Sequence, residues 1–282
     1  LIPPECRAVL SERHGSVGNI PLVGFGTTVE EAVEFARLGC SVLKIKIGSD
    51  PGGNGDQAQM LEWDCDRIGE LHAALRGFGS TETDHGKIAY YLDANGRYDS
   101  LARIQRLLDH CARIGALEQI IFLEEPFPED SDQDVSALPV RVAADESAHS
   151  VADVIARIDA GCRAIALKPI AKTLSSSLRM AAEAHRRGVP CFCADLTVNP
   201  ILVDWNKNVA ARLAPLPGLE SGMFESNGAQ NYTDWARLQS YHPIPGASWR
   251  EPSNGRFTLD DSFYATAGGI FTPSAHYRSL VS

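Results

Sequence analysis

Several absences in this chain each close off a class of function. In 282 residues no stretch approaches the ~18 consecutive apolar residues that a membrane-spanning helix needs. Basic residues are the minority, 26 Lys and Arg against 36 Asp and Glu. No basic run, and no basic patch interleaved with aromatics, offsets the net charge of −10, so a nucleic-acid partner is disfavoured electrostatically. The first residues, Leu1-Ile2-Pro3-Pro4-Glu5, have neither the basic nor the apolar region of a signal peptide. Seven cysteines, an odd number spread through strand-like and helix-like segments, fit a reducing, cytoplasmic setting. Cys191 and Cys193 flank Phe192 and would share one face of a strand, where small buried side chains fit better than a metal site. No Gly-rich phosphate loop follows the first apolar run, as a doubly wound open sheet would more often have.

What the chain does have is regular alternation. Apolar runs predict strands at 20–25, 41–47, 87–92, 119–123, 140–144, 163–167 and 189–193, with an eighth beginning at 222. Between them, helical spacing with local start and stop signals predicts helices. Thr27 and Thr28 offer N-caps before Glu30 and Glu31, and Gly39 ends that helix. Further helices are expected over 57–75, from Ser100 to about 114, from Ser150 to 160, over 174–187 and over 199–213. Pro126 to Pro139 is acidic with little apolar periodicity, so a loop or one short turn is expected there. Eight strands joined mostly by helices predict an α/β fold of the TIM-type (β/α) barrel class. The expected organisation is a lead-in over 1–19, a barrel over 20–230, and a C-terminal segment over 231–282 that packs on the barrel or on a capping domain.

Charged residues stand where the apolar runs stop. They are Lys44 and Lys46, Asp93, Glu124 with Glu125, Asp145 and Lys168. In a barrel, consecutive strand ends are neighbours around the rim, so Asp93, Glu124 and Asp145 can converge. Three bare carboxylates would repel one another, and a hard divalent cation removes that cost. Oxygen-only ligation favours Mg²⁺, with Mn²⁺ as second choice. Glu124 and Glu125 compete for one position, since neighbours on a strand face opposite ways. Asn95, Glu146 and Ser147 are near enough to orient ligands. Lys44 and Lys46 are two apart and share a face. Lys168, on the sixth strand, lies across the barrel from them, giving a base on each side of a substrate. Cationic neighbours and burial are expected to lower the lysine pKa values. Asp195, Glu225 and Asn227 are polar residues near the mouth that suit a hydroxylated or amino-bearing substrate. His72, His110 and His185 fall in helical segments, and His149 lies close enough after the fifth strand to touch the site.

Taken in order, Lys44-Ile45-Lys46, Asp93-Ala94-Asn95, Glu124-Glu125-Pro126, Asp145-Glu146-Ser147 and Lys168-Pro169-Ile170-Ala171-Lys172 resemble the enolase superfamily. The likeness is greatest to its mandelate racemase/muconate-lactonizing-enzyme type, on the muconate-lactonizing branch, and spans roughly Ile20 to Glu225. It implies a modified (β/α)7β barrel. It implies Mg²⁺ on Asp93, Glu124 and Asp145, with Lys46 and Lys168 as acid/base catalysts and Lys44 assisting near the substrate carboxylate. The implied step is removal of a proton α to a carboxylate, giving a metal-stabilised enediolate.

The chain departs from that pattern in three places. About 19 residues precede Ile20, too few for the family's capping domain, so the cap is expected to be missing or to lie upstream in a longer protein. Lys168 and Asp195 end the sixth and seventh strands, which argues against a His–Asp dyad. Glu225-Ser226-Asn227 lacks the Asp-x-Asp of dipeptide epimerases. The expected activity is racemisation, epimerisation or cycloisomerisation of a small-molecule carboxylate. A dehydratase (lyase) using the same site is the alternative, and a non-catalytic binding barrel the second. The barrel's exposed faces are compatible with a homo-oligomer.

Overall fold

A computed structural model describes residues 4–281. Residues 1–3, the start of the expected lead-in, lie outside the described residues. Ten strands form one sheet: β1 (Ser16–Ile20), β2 (Leu22–Val23), β3 (Val42–Lys46), β4 (Ala89–Asp93), β5 (Ile120–Glu124), β6 (Val142–Ala144), β7 (Ala164–Leu167), β8 (Cys191–Cys193), β9 (Met223–Glu225) and β10 (Arg256–Thr258). From β3 to β9 each strand pairs in parallel with the next. The sheet closes through a divided first stave: β1 pairs in parallel with β9, and β2 pairs in parallel with β3. Pro21 is the point of division. It has no N–H to give, and its carbonyl accepts from Lys44 N at 3.0 Å. The result is a TIM-type barrel of eight parallel staves, in which β3 and β7 stand four staves apart.

The first stave begins at Ser16 and not at Ile20, and it ends at Val23 and not at Phe25. Ser16, Gly18 and Asn19 carry no apolar alternation, so their strand character comes from partners distant in sequence. On its other edge β1 pairs antiparallel with β10, which covers backbone groups that would otherwise stand open.

The outer layer comprises α1 (Pro4–Arg7), α2 (Val29–Arg37), α3 (Gln57–Leu75), α4 (Leu101–Ile114), α5 (Val151–Asp159), α6 (Leu174–Arg186) and α7 (Pro200–Ala210). Their starts follow local chemistry. Thr28 and Glu31 form a reciprocal capping box at α2, and Asp56 accepts from two amides at the head of α3. Asn199 caps α7 with Pro200 in its first turn. No helix joins β5 to β6, where the acidic stretch predicted a loop. Among the described residues no helix is long and apolar enough to cross a membrane.

Alternation along each strand separates two cores. Leu43, Ile45, Leu92, Leu123, Cys191 and Cys193 face the helices. Val42, Ala89, Tyr91, Phe122, Ala166 and Phe192 fill the barrel. The rings of Tyr91, Phe122 and Phe192 pack at 4.3–5.6 Å and form an apolar floor beneath the mouth. Residues after β9 pack against α7 through a buried polar cluster. Lys207 Nζ pairs with Asp204 Oδ1 at 2.6 Å and donates to Trp249 O at 2.5 Å. His242 Nε2 meets Asp204 Oδ2 at 2.7 Å.

Candidate active site at the mouth of the barrel

One residue further along each inward-facing series brings charge onto the apolar floor. Val42 leads to Lys44 and Lys46, Tyr91 to Asp93, Phe122 to Glu124, Ala143 to Asp145, and Ala166 to Lys168. Glu124 is the inward member of its pair, because β5 runs to Glu124 and the chain then turns at Glu125, whose φ is +39°. Asn95 and Thr197 also have positive φ, so such backbone recurs just beyond β4 and β8.

Lys44 lies at the centre of the acidic groups. Its ammonium is 2.8 Å from Asp93, 3.2 Å from Glu124 and 2.9 Å from Glu225, and sits over the Tyr91 ring at 4.5 Å. Burial works to lower its pKa, but the three carboxylates outweigh burial and hold it well above the ordinary value. Lys46 reaches Asp93 at 2.6 Å and also bonds the Asn95 side-chain oxygen. Lys168 pairs with Asp145 and lies 3.5 Å from Glu146. There too burial is outweighed, by Asp145, Glu124 and Glu146, so the pKa is raised. Lowered lysine pKa values were expected from cationic neighbours and burial; burial does act that way, but the neighbours of Lys44 and Lys168 are carboxylates, brought in from other strands, and they outweigh it.

Carboxylate oxygens of Glu124, Asp145 and Glu146 lie within 4.8 Å of one another. Asp93, expected as the third member, is tied to Lys44 and Lys46, which hold its carboxyl below the usual range against the opposing effect of burial. Glu124 is pushed the other way, well above its ordinary value, by burial and then by Asp93, with Lys44 opposing. Its Oε2 accepts from the Tyr91 hydroxyl.

These groups suit a hard divalent cation. All the converging donors are carboxylate oxygens, and Glu146 Oε2 is buried without a hydrogen-bond partner. Burial resists charge on Glu124, and a cation would relieve that.

Across the mouth, Asp195, Glu225 and Asn227 form a second network. Asp195 N donates to Glu225 Oε2 at 3.0 Å, Asn227 N to Asp195 Oδ2 at 2.7 Å, and Asn227 Nδ2 to Glu225 Oε1 at 3.1 Å. Burial raises the Asp195 pKa to about 6, opposed by the Asn227 N–H and reinforced by Glu225. Asn95 bridges the two lysine sides, since its Nδ2 reaches Glu146 Oε1 at 3.2 Å.

Other residues fall outside this set. Ser147 turns back to Glu125. His149 is exposed and pairs with Glu129 at 3.0 Å, not with the carboxylates at the mouth. His72 is buried in α3 against Tyr90. Cys191 and Cys193 are buried among helix-facing apolar residues, and burial raises both thiols. Tyr91 and Lys172 were not read as site residues. Tyr91 could have been found from its spacing, two residues before Asp93 on the same face. Lys172 donates to Asp145 and Ala148, contacts that no sequence spacing announces.

The profile of the enolase C-terminal domain-like family matches residues 27–238. Among solved structures, a mandelate racemase/muconate lactonizing protein from Herpetosiphon aurantiacus is 20% identical with a TM-score of 0.67, over 91% of this chain and 64% of that one. The L-Ala-D/L-Glu epimerase from Bacillus subtilis is 18% identical with a TM-score of 0.64, over 80% and 58%. The 2-chloromuconate cycloisomerase from Rhodococcus opacus 1CP is 20% identical with a TM-score of 0.62, over 90% and 65%. The chain thus spans less than two thirds of each of these structures. No curated protein matches it.

Proposed function

The chain belongs to the enolase C-terminal domain-like family, and on that premise we propose that it removes and returns the proton α to a carboxylate, with Lys46 and Lys168 as opposed acid/base residues. The observation that carries this reading is the strand order. Lys46 ends β3 and Lys168 follows β7, four staves apart in a barrel of eight, and the acids after β4, β5 and β6 lie between them.

Mg²⁺ is the cation we assign to Glu124 and Asp145. Asp93, now paired with Lys44 and Lys46, would be the third residue to hold it, with Glu146 beside them. When bound, the cation supplies fixed positive charge where negative charge grows on the substrate carboxylate. The chain's own residues do the rest. Lys44, held by three carboxylates, keeps its proton and anchors Asp93, Glu124 and Glu225. With Lys46 neutral and Lys168 charged, a proton leaves one face of Cα and another arrives on the opposite face. Exchanging the two protonation states runs the reaction in reverse. The floor of Tyr91, Phe122 and Phe192 closes the barrel to water from below.

The two-sided arrangement supports racemisation or epimerisation, and cycloisomerisation would need one of the two lysines; the names of similar structures include a racemase type, an epimerase and a cycloisomerase. The test is incubation with Mg²⁺ in D₂O against chiral α-substituted carboxylates, including N-acyl amino acids, dipeptides and hydroxy acids. Deuterium at Cα without elimination supports the isomerase reading. A 2-keto acid product would assign a dehydratase instead. No exchange with any of them would remove the proposal.

A further inference from the structure

The turn after β6 carries two of the three converging carboxylates, Asp145 and Glu146. No helix precedes β6 to brace that turn. Two charged side chains, one from each neighbouring strand end, do so instead. Glu125, following β5, takes the turn's donors on a single oxygen. Its Oε2 accepts from Asp145 N at 2.7 Å, Ser147 N at 3.3 Å and Ser147 Oγ at 3.0 Å. Lys172, beyond β7, takes the acceptors. Its Nζ donates to Asp145 O at 2.6 Å, Ala148 O at 2.8 Å and Asp145 Oδ1 at 3.3 Å.

We propose that Glu125 and Lys172 are positioning residues, a clamp that grips the 145–148 turn from both sides and aims Asp145 at the cation, with Glu146 beside it. The purpose of the clamp rests on the function proposed above, while its existence does not. Holding it is costly. Glu125 is 5% exposed and has φ +39°, in a region that non-glycine residues rarely adopt. The Lys172 side chain is 9% exposed. Its three contacts account for all three ammonium donors. Lys168 differs: its ammonium partners among the described residues are Asp145 Oδ2 and Glu146 Oε1. The two lysines of one short segment therefore differ in what they hold: Lys172 grips the backbone of the turn, and Lys168 meets the carboxylates at its tip.

The clamp is tested in the full chain with Glu125→Leu and Lys172→Met, beside the conservative Glu125→Gln and Lys172→Arg. Two readouts are taken: amide hydrogen exchange at residues 145, 147 and 148 without metal, and Mn²⁺ affinity from the free-ion paramagnetic resonance signal. Leu and Met should speed exchange at those amides and weaken Mn²⁺ by at least ~tenfold, as loss of ligand-orienting partners does. Gln and Arg should recover most of both. The double variant should cost less than the sum of the singles, because both residues hold one turn. Should Glu125→Leu fail to fold, Ser147→Ala removes only the 3.0 Å hydroxyl bond and must show a smaller change of the same kind. Unchanged exchange at these amides overturns the clamp. Faster exchange with unaltered Mn²⁺ affinity overturns its positioning role. If the parent chain binds no Mn²⁺, the functional reading fails, and the exchange data still decide the clamp.

Discussion

Lys46 and Asp93 are direct partners in the register of β3 and β4, and their side chains meet at 2.6 Å. The pairing is set by the sheet itself, so a cation that draws on Asp93 must compete with an ammonium already in place. Calorimetric Mg²⁺ titrations can rank the acids. The account predicts that Asp93→Asn weakens binding by at least ~tenfold, and by more than Glu146→Gln does. The reverse order would give the third position to Glu146.

Cation binding should also stabilise the fold, since the converging carboxylates exist only in the folded chain. At a concentration about 100 times the dissociation constant, linkage predicts about 2.7 kcal/mol. Thermal unfolding with and without Mg²⁺ checks this. The shift should vanish in Asp145→Asn; a shift that survives there would place the cation elsewhere.

Much of the rim was legible because its signals are local. Lys44 and Lys46 bracket Ile45 with the two-residue period of a strand, and the acids follow apolar runs. The helix over 57–75 was expected with the bounds observed, and in the structure Asp56 caps its first turn. What was not legible depends on distant partners. Ser16 becomes strand only because β9 and β10 flank it. The choice between Glu124 and Glu125 waited on where β5 stops. The lysine pKa values were misjudged because the acids around Lys44 come from β4, β5 and β9, and no spacing near Lys44 reveals them.

Away from the mouth, Asp64 of α3 is buried and accepts from Gly48 N at 2.6 Å and from the Tyr98 hydroxyl. Burial raises its pKa from 3.8 to about 6, with the Tyr98 and Gly48 bonds opposing. The folded state therefore holds this proton more tightly than the unfolded chain. The resulting stabilisation is complete below pH ~3.8 and is lost as pH rises through about 6. It amounts to on the order of 3 kcal/mol. In urea titrations, the parent should lose stability relative to Asp64→Asn between pH 4 and 7. A gap that widens in the parent's favour would contradict the assignment.

Lys207 fastens the chain beyond β9 to α7 through Asp204 and Trp249 O. Replacing it with Ala leaves Asp204 buried with His242 alone, and breaking a buried pair typically costs about 3–5 kcal/mol. Chemical denaturation should show a loss of that order, with faster amide exchange around Trp249. A loss under about 1 kcal/mol would mean that His242 suffices as the partner.

The central claim is that two lysines address opposite faces of one carbon. The direct measurement is deuterium incorporation at Cα, enantiomer by enantiomer, in Lys46→Ala and Lys168→Ala with Mg²⁺ present. Each variant should lose exchange of one enantiomer by at least ~100-fold, the scale of general acid–base catalysis, while still exchanging the other. Loss of the same enantiomer in both variants, or undiminished exchange in either, would contradict it.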